Sequence, residues 1–427
     1  MSRVEPAAAL VGDIGVLAVK GICQRGALLA ALAEGESELR NFGHAADTDS
    51  ALAAVRALGA EVEEPEAGVV RIAGLGLRGL VAPDAPIDCG NAGTVLRLLS
   101  GILAGQDGRF ELVGDESLSS RPVRVDEPLS RMGARVETNG GRPPVRIEGA
   151  RLQPIRYELP VASAQLKSSV LLAGLLAEDG PTTVVERTPS RDHTERLLRS
   201  LGLRVTRAGA EIRVWPTERI PPLSLEIPGD FSSAAPFVVA ATLLSGSDLR
   251  IHDVDVNPTR TGLLDVLERM GARIAVYNRR SVGGEPVADL EVRSAPLSAT
   301  AVAPDEVPRL IDELPLFALA AALARGESTV NGAEELRVKE TDRIETVTNS
   351  LRSLGVRIVA TEDGFRVRGV PSRPRGGVMA SGGDHRIAML GAVTGLVSRK
   401  GVEIEDAEAV AVSFPGFFEL LESATQR

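Results

Sequence analysis

Asp312-Glu313-Leu314-Pro315-Leu316-Phe317-Ala318-Leu319-Ala320-Ala321-Ala322-Leu323 opens on carboxylates and runs directly into small apolar residues. Gly326 follows, then the charged turn Leu336-Arg337-Val338-Lys339-Glu340-Thr341-Asp342-Arg343, a second helical segment closing on Leu354-Gly355, and the β-branched run Arg357-Ile358-Val359-Ala360. The same order occurs six times in the chain, with polar openings at Lys20, Asn91, Ser163, Asp230, Asp312 and Asp384. A glycine follows each opening by 14 to 17 residues, at Gly35, Gly105, Gly180, Gly246, Gly326 and Gly401. Five second helices close on Leu-Gly or Met-Gly, at Gly59, Gly133, Gly202, Gly271 and Gly355. A period of about 70 residues exceeds the 20–50 of common solenoid repeats. The chain is therefore expected to be a small number of large βαβ-type units, with chemistry at the polar openings.

The first helices are apolar nearly all round, as in Ala27–Leu32, Val170–Leu176 and Leu316–Leu323. A helix without a polar face is buried on every side. The second helices, such as Thr194–Leu201 and Gly262–Met270, are amphipathic and belong at or near the surface. Thr182–Val185, Leu249–His252 and Arg357–Ala360 read as strands. Three such units can form a domain with three buried helices inside and sheets outside, and six units give two domains. Pro221-Pro222 and Pro228-Gly229-Asp230 mark the expected boundary.

A net charge of −10 argues against wholesale nucleic-acid binding, so any anion must be held by a local cluster of cations. Aromatics make up only 3%, which leaves Ala, Leu, Val and Ile to build the core. Cys23 and Cys89 provide neither a disulfide framework nor zinc spacing, which fits a reducing, cytoplasmic setting. No secretory signal pattern is expected, and no apolar run approaches the roughly 18 residues of a membrane span.

Helix N-termini offer unpaired N–H groups and partial positive charge, and so bind phosphates and carboxylates. Lys20, Arg25, Asn91, Thr94, Ser163, Gln165, His385 and Arg386 lie at or near openings. For any single Asn, Ser, Thr or Asp, simple N-capping is the favoured reading. Lys20, Arg25, Arg121, Arg343 and Arg386 are poor residues for the positive end of a helix unless an anion is present. Two clusters stand out, Leu336–Arg343 and Gly383-Asp384-His385-Arg386.

The chain resembles the 5-enolpyruvylshikimate-3-phosphate (EPSP) synthase family from about residue 12 to its end. The resemblance rests on Gly90-Asn91-Ala92-Gly93-Thr94, Gly114–Pro122, Ala162–Ser168, Ser190–Glu195, Asn257–Gly262, Arg337–Arg343 and Asp384–Met389, in order along the chain. It implies a two-domain inside-out α/β barrel of six βαβαββ repeats, the enolpyruvyl transferase fold. Residues 1–15 with 230–427 would form one domain and 16–229 the other, with the active site in the cleft between them.

The implied reaction moves the enolpyruvyl group of phosphoenolpyruvate to the 5-hydroxyl of shikimate 3-phosphate and releases phosphate. The resemblance implies no metal and no organic cofactor, no nucleic-acid or membrane partner, and a monomer. By position, Lys20, Gly93, Arg121, Gln165, Arg343 and Arg386 would contact phosphoenolpyruvate. Lys20, Arg25, Ser163, Ala164, Gln165, Ser190, Asp312 and Lys339 would contact shikimate 3-phosphate, with Asn91, Thr94 and His385 in support. Asp312 would be the base, Glu340 would exchange a proton with the methylene carbon, and Lys20 would assist catalysis.

Some positions depart from the family pattern. Gly21 stands where a serine hydroxyl usually follows the lysine, the stretch after Arg121 is one residue short, and Val412 replaces a lysine that some members carry. UDP-N-acetylglucosamine enolpyruvyl transferases carry a cysteine where this chain has Glu116, which separates it from them. The altered Lys20 loop leaves a non-catalytic binder of shikimate-like ligands as the other alternative. Gly93 suggests an open site for the inhibitor glyphosate, with Leu98 and Gly21 altering its surroundings.

Overall fold

The computed structural model describes residues 1–427. The backbone divides into two compact units. The first comprises Met1–Leu17, Pro228–Arg280 and Pro286–Arg427; the second comprises Ala18–Ile227 with Ser281–Glu285.

Each unit is built on three inner helices. They are Phe231–Leu243, Leu314–Leu323 and His385–Val397 in the first, and Lys20–Ala31, Gly93–Leu103 and Ala164–Leu175 in the second. Runs of Ala and Leu without β-branched residues favour helix at Leu314–Leu323, and Pro315 fits the first turn, where its missing N–H has no helical partner. Leu314 through Ala322 are all buried. Phe237, Phe317 and Leu390, one from each inner helix, belong to the buried core of the first unit, each fully buried and worth roughly 1.5–3 kcal/mol on the transfer scale.

Three sheets belong to each unit. A complete repeat is seen at 301–369. There the short strand Ala301–Val302 pairs in parallel with Gly326–Val330 across the inner helix, and the hairpin Arg357–Ala360/Phe365–Gly369 adds to the edge of Gly326–Val330. The order is thus strand, inner helix, strand, outer helix Arg343–Ser353 and hairpin.

Two repeats exchange their first strands. Ala9–Gly15 precedes the Lys20 helix but pairs in parallel with Asp248–Asp255, in the first unit. Ser224–Glu226 precedes the Phe231 helix but pairs in parallel with Glu34–Arg40, in the second unit. The sixth repeat has no hairpin of its own; Ser2–Val4 fills that edge, antiparallel to Val402–Glu405.

The five Leu-Gly and Met-Gly closures share one cause. Each glycine has a positive φ, from 77° at Gly202 to 112° at Gly133. At Leu354-Gly355 the next N–H, on Val356, returns to the Leu351 carbonyl at 3.0 Å while Gly355 N–H reaches Arg352 O at 3.0 Å. This is a left-handed helix stop that a residue with a Cβ adopts only under strain.

Candidate active site

In the first unit, Arg343 begins the outer helix of the fifth repeat and is 1% exposed. Its Nε donates to Asp384 Oδ2 at 2.8 Å and its Nη2 to Asp384 Oδ1 at 3.1 Å, a forked pair. Nη2 also reaches Glu340 Oε2 at 2.7 Å, and Nη1 lies 3.5 Å from Asp312 Oδ1. Burial works against the charge on Arg343, but Glu340, Asp384 and Asp312 outweigh it and hold the guanidinium firmly protonated. Burial likewise pushes Asp384 up, and Arg343 more than reverses it, leaving that carboxyl below the usual carboxylate range. Asp384 also caps the His385 helix by accepting from Arg386 N at 2.9 Å.

Arg386 is the second residue of that helix. Its Nη1 lies 3.6 Å from Glu313 Oε1 and donates to Ser232 O at 3.4 Å. That carbonyl is available because its helical partner, four residues on, is Pro236, which has no N–H. Ser232 Oγ donates to Glu313 and accepts from Arg260 Nη2 at 2.6 Å, while the same Arg260 nitrogen reaches Asp230 Oδ1 at 2.7 Å. Burial drives Glu313 above its ordinary range, with neighbouring Asp312 adding to the rise and Arg386 and Arg260 opposing it. Lys339 is half-buried just before Glu340, and His385 is buried as the first residue of its helix.

In the second unit, Gln165 ties two openings together. Its Oε1 accepts from Arg97 Nη1 at 2.6 Å and its Nε2 donates to Thr94 Oγ1 at 2.9 Å. Arg97 lies one helical turn after Gly93 and donates to the Gly93 carbonyl at 3.0 Å. A Cβ on Gly93 would meet Arg97 Nη1 at 2.7 Å, so Arg97 borders the space that the sequence reading treated as open. Arg121 donates to Asn91 Oδ1 and, at 2.9 Å, to Ser117 Oγ; Asn91 Nδ2 donates to Asp115 Oδ2 at 2.8 Å. Ser163 caps the Ala164 helix, accepting from Leu166 N at 3.3 Å, and half-buried Ala164 starts it.

Lys20 pairs with Asp47 at 2.5 Å. Arg25 is buried; its Nε donates to Thr194 Oγ1 at 2.7 Å, its Nη2 to Ser168 Oγ at 3.1 Å and its Nη1 to the Gly21 carbonyl at 2.8 Å. Ser190 Oγ donates to Glu186, whose same oxygen accepts from Ser190 N at 2.9 Å. Lys167, fully buried, stands 3.1 Å from Glu186 and 2.9 Å from Glu195.

The openings differ in how they are capped. Ser163, Asp230 and Asp384 accept from helix N–H groups, whereas Val19, Ala92 and Glu313 provide no side-chain cap. The cations at the openings have protein partners, several of them carboxylates, so their presence does not by itself require an anion. A bound anion would compete with those carboxylates, and Asp312, at 3.5 Å from Arg343, is the most weakly held of its three.

The family profile described as EPSP synthase (3-phosphoshikimate 1-carboxyvinyltransferase) matches residues 4–421. The chain belongs to the EPSP synthase family. A 3-phosphoshikimate 1-carboxyvinyltransferase of Salinibacter ruber is 49% identical, covering 99% of this chain and 98% of its own length. One from Acidithiobacillus ferrooxidans is 48% identical over 99% of this chain and 97% of its own. The solved EPSP synthase of Acinetobacter baumannii superposes with a TM-score of 0.90 at 41% identity, over 99% of this chain and 98% of that one. The enolpyruvyl transferase NikO of Streptomyces tendae, 19% identical, shares the fold with a TM-score of 0.79 over 99% of this chain and 96% of that one. The EPSP synthase fold expected from the sequence, an inside-out α/β arrangement, is therefore the one observed.

The sequence reading gave no role to Arg97, Asp47, Lys167, Glu186, Glu313 or Arg260. Lys167 had a legible signal, the one charged residue in the inner helix Ala164–Leu175. Arg97 had another, a cation one turn beyond an opening. Glu186 and Asp47 become visible only once strands and helices distant in sequence are brought together.

Proposed function

We propose that the protein is a 3-phosphoshikimate 1-carboxyvinyltransferase, moving the enolpyruvyl group of phosphoenolpyruvate to the 5-hydroxyl of shikimate 3-phosphate with release of phosphate. The observation that carries this reading is Arg343, whose single guanidinium bonds Glu340 and neighbours Asp312, the two carboxylates that the chemistry needs. Asp312 takes the proton of the attacking hydroxyl as oxygen adds to C2 of phosphoenolpyruvate. Glu340, in its protonated form, gives a proton to the methylene carbon in addition and takes one back as phosphate leaves, while the proton held by Asp312 departs with the phosphate. Each such proton transfer contributes about 10²–10⁴-fold.

Lys20, Gly93, Arg121, Gln165, Arg343 and Arg386 hold phosphoenolpyruvate, and the arginines offset the charge that develops on the leaving phosphate. Lys20, Arg25, Ser163, Ala164, Gln165, Ser190, Asp312 and Lys339 hold shikimate 3-phosphate. Ser190 gives both its hydroxyl proton and its N–H to Glu186, so the hydroxyl must turn from Glu186 to donate to the ligand. Gly21, whose carbonyl accepts from Arg25 Nη1, stands where the family pattern usually has a serine. The reading requires both units to serve one reaction centre, and we place it in a monomer in the cytoplasm. Two buried, unbridged cysteines fit a reducing compartment, and no helix is long and apolar enough to cross a membrane.

The test is steady-state phosphate release with both substrates. Turnover requiring both is expected. Folded protein that binds shikimate 3-phosphate without turnover would overturn the enzymatic reading in favour of a binder.

A further inference from the structure

The first unit carries a second cationic hollow, away from the openings. Five arginines, Arg357, Arg368, Arg373, Arg375 and Arg399, are among the eleven residues that line a depression of about 200 Å³, and no Asp or Glu lines it. None of the five has a carboxylate within ion-pairing distance; Arg373 reaches only the Ala7 carbonyl, at 3.4 Å. This clustering occurs in a chain of net charge −10, where carboxylates are plentiful.

Arg357 and Arg368 face each other directly across the antiparallel hairpin Arg357–Ala360/Phe365–Gly369, and Glu327 stands opposite Arg368 on its other edge, outside ion-pairing distance. Like charges in directly opposed positions destabilise a sheet. Arg375 lies over the backbone of Gly355, where an added Cβ would stand 2.8 Å from its Nε. The frame beneath is fixed by main-chain bonds: Arg375 N to Leu354 O at 3.0 Å, Arg399 N to Pro374 O at 2.9 Å and Val370 N to Ala322 O at 2.9 Å. Compensation of helix carbonyl ends would account for one or two cations beside Leu314–Leu323 and His385–Val397. Five, two of them opposed across a hairpin, exceed that need.

We propose that this hollow is a binding site for a small polyanion, a molecule carrying two or more phosphate or carboxylate groups. Several guanidinium forks converging on one concave place match such oxygens bidentately. The site is distinct from the catalytic openings: Ala322 lines it near the carbonyl end of a helix whose N-terminal end follows Asp312, about 15 Å away at 1.5 Å per residue. A diphosphate or a dicarboxylate shares the required chemistry.

The probe is inorganic pyrophosphate, titrated calorimetrically at constant ionic strength into the full chain, with succinate as the dicarboxylate arm. Arg368→Gln/Arg399→Gln is expected to weaken pyrophosphate binding at this site by about tenfold or more. Arg121→Gln/Arg386→Gln, which alters the openings, is expected to leave that binding event in place. The Arg357→Gln variant is expected to match or exceed the native melting temperature in anion-free buffer, because it removes a repulsion. Equal affinity in the native chain and in the Arg368→Gln/Arg399→Gln variant would overturn the proposal. So would binding lost only with the opening arginines, or no binding at all at constant ionic strength.

Discussion

Replacing Asp384 tests whether the buried arginine is held mainly by this carboxylate. Both oxygens are fully engaged: Oδ2 accepts from Arg343 Nε at 2.8 Å and Thr341 Oγ1 at 3.1 Å, and Oδ1 from Arg343 Nη2 at 3.1 Å and Arg386 N at 2.9 Å. Removing one member of a buried ion pair costs about 3–5 kcal/mol, and a lost N-cap about 1 kcal/mol. The two effects share one side chain, and Glu340 and Asp312 remain near Arg343, so Asp384→Ala should cost about 3–4 kcal/mol in total. For a body of 150–250 residues this is a fall of roughly 6–16 °C in melting temperature. Asp384→Asn keeps shape and cap but loses the charge, and should cost about 1.5–3 kcal/mol. The folded carboxyl lies below its usual range, so its stabilisation is present above the unfolded value of about 3.9 and is lost as pH falls through the folded value. In urea unfolding, the gap between native chain and Asp384→Asn should stay level from pH 8 to 5 and narrow only below about pH 4. A cost under about 1 kcal/mol for Asp384→Ala at pH 7, or a gap that widens in acid, would refute the reasoning.

Asp312→Asn and Glu340→Gln should each lower kcat by about 10²–10⁴-fold, Glu340→Gln with some loss of melting temperature as well because it bonds the buried Arg343; a loss below tenfold would remove them from proton transfer. Pro236→Ala restores an N–H that competes with Arg386 for the Ser232 carbonyl; the Michaelis constant for phosphoenolpyruvate should rise several-fold while that for shikimate 3-phosphate holds, and equal shifts in both would count against this route. Burial pushes the Glu195 carboxyl up, against Lys167, so stability from its protonated form is complete below about pH 4.3 and declines as pH rises through the folded value. Glu195→Gln should flatten that decline in urea unfolding between pH 4 and 8, and a profile parallel to the native one would contradict it. Glyphosate should inhibit the native chain, and a flat inhibition curve would exclude the Gly93 neighbourhood as its site.

Much of the fold was legible because its signals are local. An Ala/Leu run without polar faces can only be buried, and a Leu-Gly closure announces a left-handed stop, as Leu354-Gly355 shows. The exchanged strands were less legible: Ser224–Glu226 is three residues long, and its partner Glu34–Arg40 lies far away in sequence. At the site, residue types and their order were readable, but their present partners were not. Arg343 reads as an anion receptor in sequence, yet it is held by Asp384, which lies in the next repeat. Gly93 reads as open space, yet Arg97 borders it.

The strand exchange between the first and fourth repeats dictates a timetable for biosynthesis. The second unit is almost wholly contained in Ala18–Ile227, so all but its Ser281–Glu285 segment has emerged once Ser224–Glu226 is made. Ala9–Gly15 leaves the ribosome first but must wait for Asp248–Asp255, its parallel neighbour. At 5–20 residues per second, that delay is on the order of 10–50 s. Its other edge is covered only by Thr425–Gln426, at the end of the chain. Through most of translation, then, neither edge of Ala9–Gly15 has its partner strand, and this is the interval in which a nascent chain would need a chaperone.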